Sequence, residues 1–240
     1  MHNISVENLF LIDIETVSVS ENYELLTDNW KELWNEKVAK ALPDNITAEE
    51  FYPKRAGIMA EFAKVVCISI GYIKSDNGKM QLRTKSFYSE NEKEILEKFI
   101  DTVCQLQASN NKWCFTGHNI KEFDIPFLCR RILVNNISIP DCFNFQAMKP
   151  WDVPVLDTLH LWRFGDYKHY TSLKLLAATL GIPSPKGDID GSQVGSVYWK
   201  EKDLERIAVY CQKDVATVAN IILRFKNLPL LNDDQIICVS

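Results

Sequence analysis

Apolar positions along the chain change their period several times, and each change predicts an element. NLFLIDI (residues 8–14) is nearly continuous and apolar, as in a short strand buried on both faces in the middle of a sheet. Between residues 18 and 57, Leu26, Trp30, Leu33, Trp34, Val38 and Leu42 recur at helical spacing, which predicts an amphipathic helix laid across that sheet. VVCISIGYI (65–73) is rich in β-branched residues and QLRTKSFY (81–88) alternates. Asp76-Asn77-Gly78 between them is turn chemistry, so the two runs form a hairpin. Ile95, Leu96, Phe99, Ile100, Val103 and Leu106 make one stripe and predict a helix over 91–106.

WCFTG (113–117) follows as a short strand, and a helix begins near Asp124 to Pro126, because proline suits a first turn where its missing N–H is not needed. VLDTL (155–159) is a fifth strand, SLKLLAATLG (172–181) is a helix closed by Gly181, and Pro183 to Gly195 is an irregular loop. A last, long helix over 202–225 presents Leu204, Ile207, Ala208, Cys211, Val215, Val218, Ala219 and Ile222 on its apolar face. The order is that of an α/β protein: a mixed five-stranded sheet flanked by helices, one domain over 1–240, with a helical insertion at about 18–57. In such sheets ligands collect where the central strands end.

Composition narrows the picture. The 240 residues are 46% hydrophobic and 25% charged, enough to bury a sizeable core. A net charge of -5 provides no global attraction to nucleic acid, so such a partner would need a local basic surface or bound cations. Seven cysteines with no CxxC pair, and no histidine cluster at zinc spacing, fit reduced thiols in a cytosolic protein. MHNISVENLF lacks the basic and long apolar regions of a secretory signal, and no apolar stretch is long enough for a bilayer. A cytoplasmic protein with no membrane contact is expected.

The first strand ends in acid. Asp13 and Glu15 are two apart and share a face if the strand continues through Ile14. Two such carboxylates repel each other unless paired or metal-bound, and a divalent cation would resolve the conflict. Tyr210 and Asp214 are four apart on the last helix and so are neighbours, whether as a polar stripe or as part of a site. Asp124 stands where a helix N-cap belongs, and capping alone would explain it.

Taken together, DIET, NIKEFD and YCQKD reproduce D-x-E, N-x-x-x-F-D and Y-x-x-x-D in order, on strand, loop-to-helix and helix. In these motifs the sequence resembles the DEDD superfamily of 3′-5′ exonucleases with a tyrosine in the third motif, whose fold is ribonuclease H-like. GHNIKEFDIPFLCRR, FGDYKHYTSLKLLAATLGIPSPKGDIDGSQVG and YCQKDVATV extend the likeness, from Leu9 to about Phe225, to the proofreading exonuclease domain of family B DNA polymerases. It reaches especially to the stand-alone bacterial proteins related to that domain.

The resemblance implies roles residue by residue. Asp13 would bridge two metal ions, Glu15 and Asp214 would complete the site of the ion that activates water, and Asp124 would hold the second ion. Tyr210 would orient the attacking water; Thr16 would contact the 3′-terminal nucleotide, and Asn119 and Phe123 would shape the substrate cleft. For Phe123, core packing is an equal reading. Hard oxygen ligands suit two divalent cations, Mg²⁺ or Mn²⁺, better than zinc.

The partner implied is nucleic acid, in the first place single-stranded DNA 3′ ends trimmed to nucleoside monophosphates, in repair or beside a polymerase. A 3′-5′ exoribonuclease with the same chemistry and an inactive nucleic-acid-binding module are the alternatives. His118, His160 and His169 are structural on this reading, and Asp157 supports the site from behind. Lys174, Lys186 and Lys213, with Arg130 and Arg131, are candidates for a local basic surface. Trp30, Trp34, Lys54 and Arg55 of the insertion serve either the substrate or the sheet.

Overall fold

The opening apolar run becomes strand β1 (Leu9–Ser18), longer than the pattern predicted because it continues past the acidic pair. A computed structural model describes residues 4–76, 78–109, 112–149, 152–183 and 188–239; Asn77 of the expected turn and Lys186 of the expected basic surface lie outside them. The other strands are β2 (Ala63–Asp76), β3 (Lys79–Tyr88), β4 (Cys114–Gly117), β5 (Val155–Asp157) and β6 (Ile236–Cys238). They form one sheet in the order β5-β4-β1-β2-β3-β6. β1 is antiparallel to β2 and parallel to β4, and β5 and β6 add parallel partners at the two edges.

The sheet therefore has six strands rather than the expected five. The additional one, β6, is three residues long and takes its place only by pairing with Leu82 to Thr84 of β3, so no period could announce it. VLDTL also ends as a strand at Asp157, where the chain turns into a helix.

The helices are α1 (Asp28–Val38), α2 (Ala48–Arg55), α3 (Glu92–Ser109), α4 (Asp124–Val134), α5 (Thr158–Arg163), α6 (Leu173–Thr179), α7 (Val194–Ser196) and α8 (Leu204–Phe225). Alternation along β1 sends Phe10, Ile12 and Ile14 into the core shared with α3 and α4, while Leu11 and Val17 face α8 and the segment before it. α8 lies close on β2, since a Cβ at Gly71 would come within 2.8 Å of Val215 Cγ1.

The insertion corrects a second expectation. It holds two helices with a small core of their own, Leu26, Trp34, Val38, Phe51, Tyr52 and Ala56 against Phe62, instead of one helix across the sheet. Trp34 is fully buried, donates Nε1–H to Ala48 O (2.7 Å) and meets Phe62 and Tyr52 edge to face. Leu42 prolonged the helical period because it packs on the same cluster from outside the helix. α2 starts on a capping box of Thr47 and Glu50, and Lys54 and Arg55 are exposed in its last turn.

Arg131 is no part of a basic surface. It is buried, binds both Glu92 oxygens (2.9 and 2.6 Å) and donates to Ala60 O, while Glu92 also accepts from Val65 N–H. This pair ties α4, α3 and β2 together; Arg130 next to it is exposed.

Candidate active site

Asp13 and Glu15 leave the α8 face of β1 where the β1–β2 register shifts, between Glu15 and Thr16. Val66 is the unpaired extra residue, so a bulge sits beside the acidic pair, a device that re-aims side chains near functional sites. Cys211 of α8 donates its thiol to Asp13 Oδ2 (3.2 Å) and approaches Asp13 O (3.4 Å). Ligand atoms of Asp13, Glu15 and Cys211 lie within 4.8 Å of one another.

β4 delivers the third carboxylate. Its last residue, Gly117, has no room for a side chain: a Cβ there would lie 2.2 Å from Ile120 Cγ2 and 2.7 Å from Ile12 O. The chain then turns through Asn119, at φ 63°, into α4. Asp157, buried at the end of β5, holds this turn by accepting from the N–H groups of Asn119 (2.9 Å), Lys121 (3.0 Å) and Leu159 (2.9 Å). Asp124, the first residue of α4, is 4% exposed and accepts from Ile14 N–H (3.2 Å), which fixes it between Asp13 and Glu15 along the strand.

α8 brings Tyr210 and Asp214, which hydrogen-bond to each other. A cleft of about 770 Å³ is lined by Asp13, Asn119, Phe123, Asp124, Tyr210 and Asp214, with Tyr170, Lys174 and Lys213 on its walls. Among the described residues none of the four carboxylates, Asp13, Glu15, Asp124 or Asp214, takes part in an ion pair.

The electrostatics follow from that crowding. Burial, then the charges of Asp214, Asp124 and Glu15, raise the Asp13 carboxyl well above the usual carboxylate range; the Cys211 thiol works the other way. Glu15 is likewise raised, by burial and then by Asp214. Burial pushes Asp124 up to about 7, against two backbone N–H groups that lower it, and Asp214 to about 6, against the Tyr210 hydroxyl. Tyr210 is raised by burial and by the same carboxylates, and so keeps its proton. Mutually repelling carboxylates, none of them in an ion pair among the described residues, make an oxygen donor set that fits hard divalent cations.

Of the expected residues, six line the cleft. Glu15 stands behind Asp13, outside the lining, and Thr16 is turned away, its hydroxyl donating to Gly57 O (2.6 Å) at the edge of the insertion. Phe123 both lines the cleft and packs against Phe127 in the core. His118 is buried, with its ring nitrogens 2.9 Å from Thr158 Oγ1 and Thr171 O, and His160 meets Glu122. Sequence reasoning overlooked Cys211 and Tyr170. Cys211 sits three residues before Asp214, hence on its face of α8, which is the signal that could have found it.

The family described as "Predicted 3'-5' exonuclease related to the exonuclease domain of PolB" matches residues 58–231. The chain belongs to this family. The matched span takes in Asp124, Tyr210 and Asp214 of the exonuclease-related domain; Asp13 and Glu15 precede it and join them through the sheet. No match was found among curated proteins.

Among solved structures, the chain is similar to the family B DNA polymerase from the hyperthermophilic archaeon Pyrobaculum calidifontis, at 15% identity and a TM-score of 0.51. The similarity covers 90% of this chain and 24% of the polymerase. At that identity the likeness concerns the fold, and the fold of this exonuclease-related chain is ribonuclease H-like: a mixed sheet flanked by helices. Among the described residues no helix is long and apolar enough to cross a membrane.

Proposed function

We propose that the protein is a divalent-metal-dependent 3′-5′ exonuclease that removes nucleoside monophosphates from the 3′ end of single-stranded DNA. The observation that carries this reading is the gathering of Asp13, Asp124, Asp214 and Tyr210 at one cleft, with Glu15 close to Asp13 and none of the four carboxylates in an ion pair among the described residues. Asp13, Glu15 and Asp214 would hold one Mg²⁺ or Mn²⁺, and Asp13 with Asp124 a second. When bound, such ions neutralise the phosphodiester and lower the pKa of a water.

The chain's own groups do the positioning. The protonated Tyr210 hydroxyl, hydrogen-bonded to Asp214, orients a water for in-line attack on the terminal phosphodiester. The new P–O bond forms as the bond to the 3′ oxygen of the penultimate nucleotide breaks; the water's proton passes to a carboxylate of the cluster, and the leaving oxygen is protonated from solvent. The phosphate stays on the released nucleotide. Lys174 and Lys213 flank the cleft and favour an anionic strand despite the net charge of the chain. DNA is preferred as substrate over RNA because the family is related to the exonuclease domain of PolB.

The test is hydrolysis of 5′-labelled single-stranded DNA and matched RNA with Mn²⁺, Mg²⁺ or EDTA, beside Asp13→Ala. Shortening of the DNA from its 3′ end, dependent on metal and lost in the variant, is expected. Activity surviving in EDTA or in the variant sinks the mechanism, preference for RNA assigns an exoribonuclease, and binding of either polymer without shortening assigns an inactive module.

A further inference from the structure

Between α5 and α6 the chain RFGDYKHY displays its aromatic residues instead of burying them. Phe164 is 91% exposed, Tyr167 68% and Tyr170 63%. Single exposed aromatics are ordinary, but three within one loop of seven residues, 164 to 170, concentrate exposed ring surface in one segment of the chain.

Phe164 is held there at a cost. It ends α5 in the left-handed conformation at φ 46°, and Gly165 continues at φ 91°. A left-handed aromatic residue is strained by about 1 kcal/mol or more. No ring contact of Phe164 offsets that strain among the described residues.

The loop is also fixed to the site. Arg163 pairs with Glu122 (2.8 Å), on the same turn that carries Asn119 and leads into Asp124. Tyr167 rests over the Arg163 guanidinium (5.6 Å) and against His160. Tyr170 meets His118 edge to face and is itself a wall of the cleft, and the next residue, Thr171, accepts from the His118 ring. Lys168 and His169 stand exposed between the rings, while the loop's only acid, Asp166, accepts from the Lys168 backbone.

We infer that Phe164, Tyr167 and Tyr170 form a ledge on which bases of the substrate strand stack as it enters the cleft, 5′ of the nucleotide being removed. The inference rests on the nuclease reading above and adds to it a requirement for several unpaired nucleotides next to the 3′ end. Flat rings suit bases of any sequence, and Lys168, exposed between two of them, suits the phosphates. The ledge's continuity with the cleft through Tyr170 selects the substrate strand as its occupant.

The experiment compares kcat/KM on a single strand of about twelve nucleotides, within the span such grooves accept, with kcat/KM on the p-nitrophenyl ester of thymidine 5′-monophosphate, which carries one nucleotide and leaves the ledge uncovered. Phe164→Ala and Tyr167→Ala are each expected to lower the ratio of the two about five- to a hundredfold, through KM. Phe164→Trp and Tyr167→Phe, which keep a flat ring, are expected to restore it. An unchanged ratio in both alanine variants of an active enzyme overturns the ledge and leaves the nuclease intact. So does light scattering that finds a dimer dissolved by Phe164→Ala, since the surface would then serve self-association. A wild-type protein inactive on both substrates overturns the nuclease reading, and the ledge with it.

Discussion

Tyr210 has its hydroxyl bound to Asp214 and its proton held by burial among carboxylates, so on the proposed reading it would orient water and not act as a base. Tyr210→Phe is therefore expected to lower kcat about a hundredfold, as loss of one oriented hydrogen bond does, while metal affinity stays within about twofold. Single-turnover hydrolysis beside Mn²⁺ titration separates the two; equal kcat in the variant would remove Tyr210 from the mechanism. Cys211 acts one step back, as a donor to Asp13 Oδ2. Cys211→Ala is expected to weaken Mn²⁺ binding about tenfold, in the range of other groups that orient a metal ligand. Cys211→Ser, which keeps a donor, should stay near wild type by calorimetric titration. Asp13 and Glu15 stood out in the sequence because two acids ending an apolar strand need a reason, whereas Asp124 and Asp214 each had a sufficient local explanation and were singled out only through the resemblance of the three motifs together. Cys211 was not, since a cysteine on an apolar helix face has the sufficient explanation of packing.

The elements divide by where their specifying contacts come from. β1, the β2–β3 hairpin, α3, α4 and α8 carry their own periodicity and lie within a few residues of their expected bounds. The second insertion helix, α2, is too short to show a period, and β6 exists only as a partner of β3. The turn between β4 and α4 is equally nonlocal, since its N–H groups are satisfied by Asp157 from nearly forty residues on. Asp157→Ala would leave them without their acceptor; a loss of about 1–3 kcal/mol in urea unfolding is expected, with activity falling further than stability because the turn positions Asp124. Arg131→Leu would leave Glu92 charged and buried, and is expected to cost about 3–5 kcal/mol. The double variant Arg131→Leu with Glu92→Leu should recover part of that loss. No recovery would mean the pair is not coupled as its geometry indicates.

At the scale of the whole molecule, the site works against the fold. The folded pKa values of Asp124 and Asp214, about 7 and about 6, and those of Asp13 and Glu15, also raised, lie above the ordinary value near 4. Between roughly pH 4 and 7 the folded state thus binds more protons than the unfolded one, so stability without metal falls as pH rises through that window. Melting in EDTA should show this fall. Saturating Mn²⁺ should raise the Tm by about 5–10 °C at pH 8 and by less at pH 5; a Tm in EDTA that rises from pH 5 to 8 would contradict it. The sheet and its flanking helices were legible, but the assembly of the site rests on contacts between residues far apart in the chain. Asp13 and Asp214 are separated by 201 positions (214 less 13). At about 5–20 residues per second of synthesis, the first carboxylate leaves the ribosome roughly 10–40 s before the last. On the proposed reading, the nascent chain carries for that interval an acidic strand without a complete metal site, which closes only when its final helix has docked.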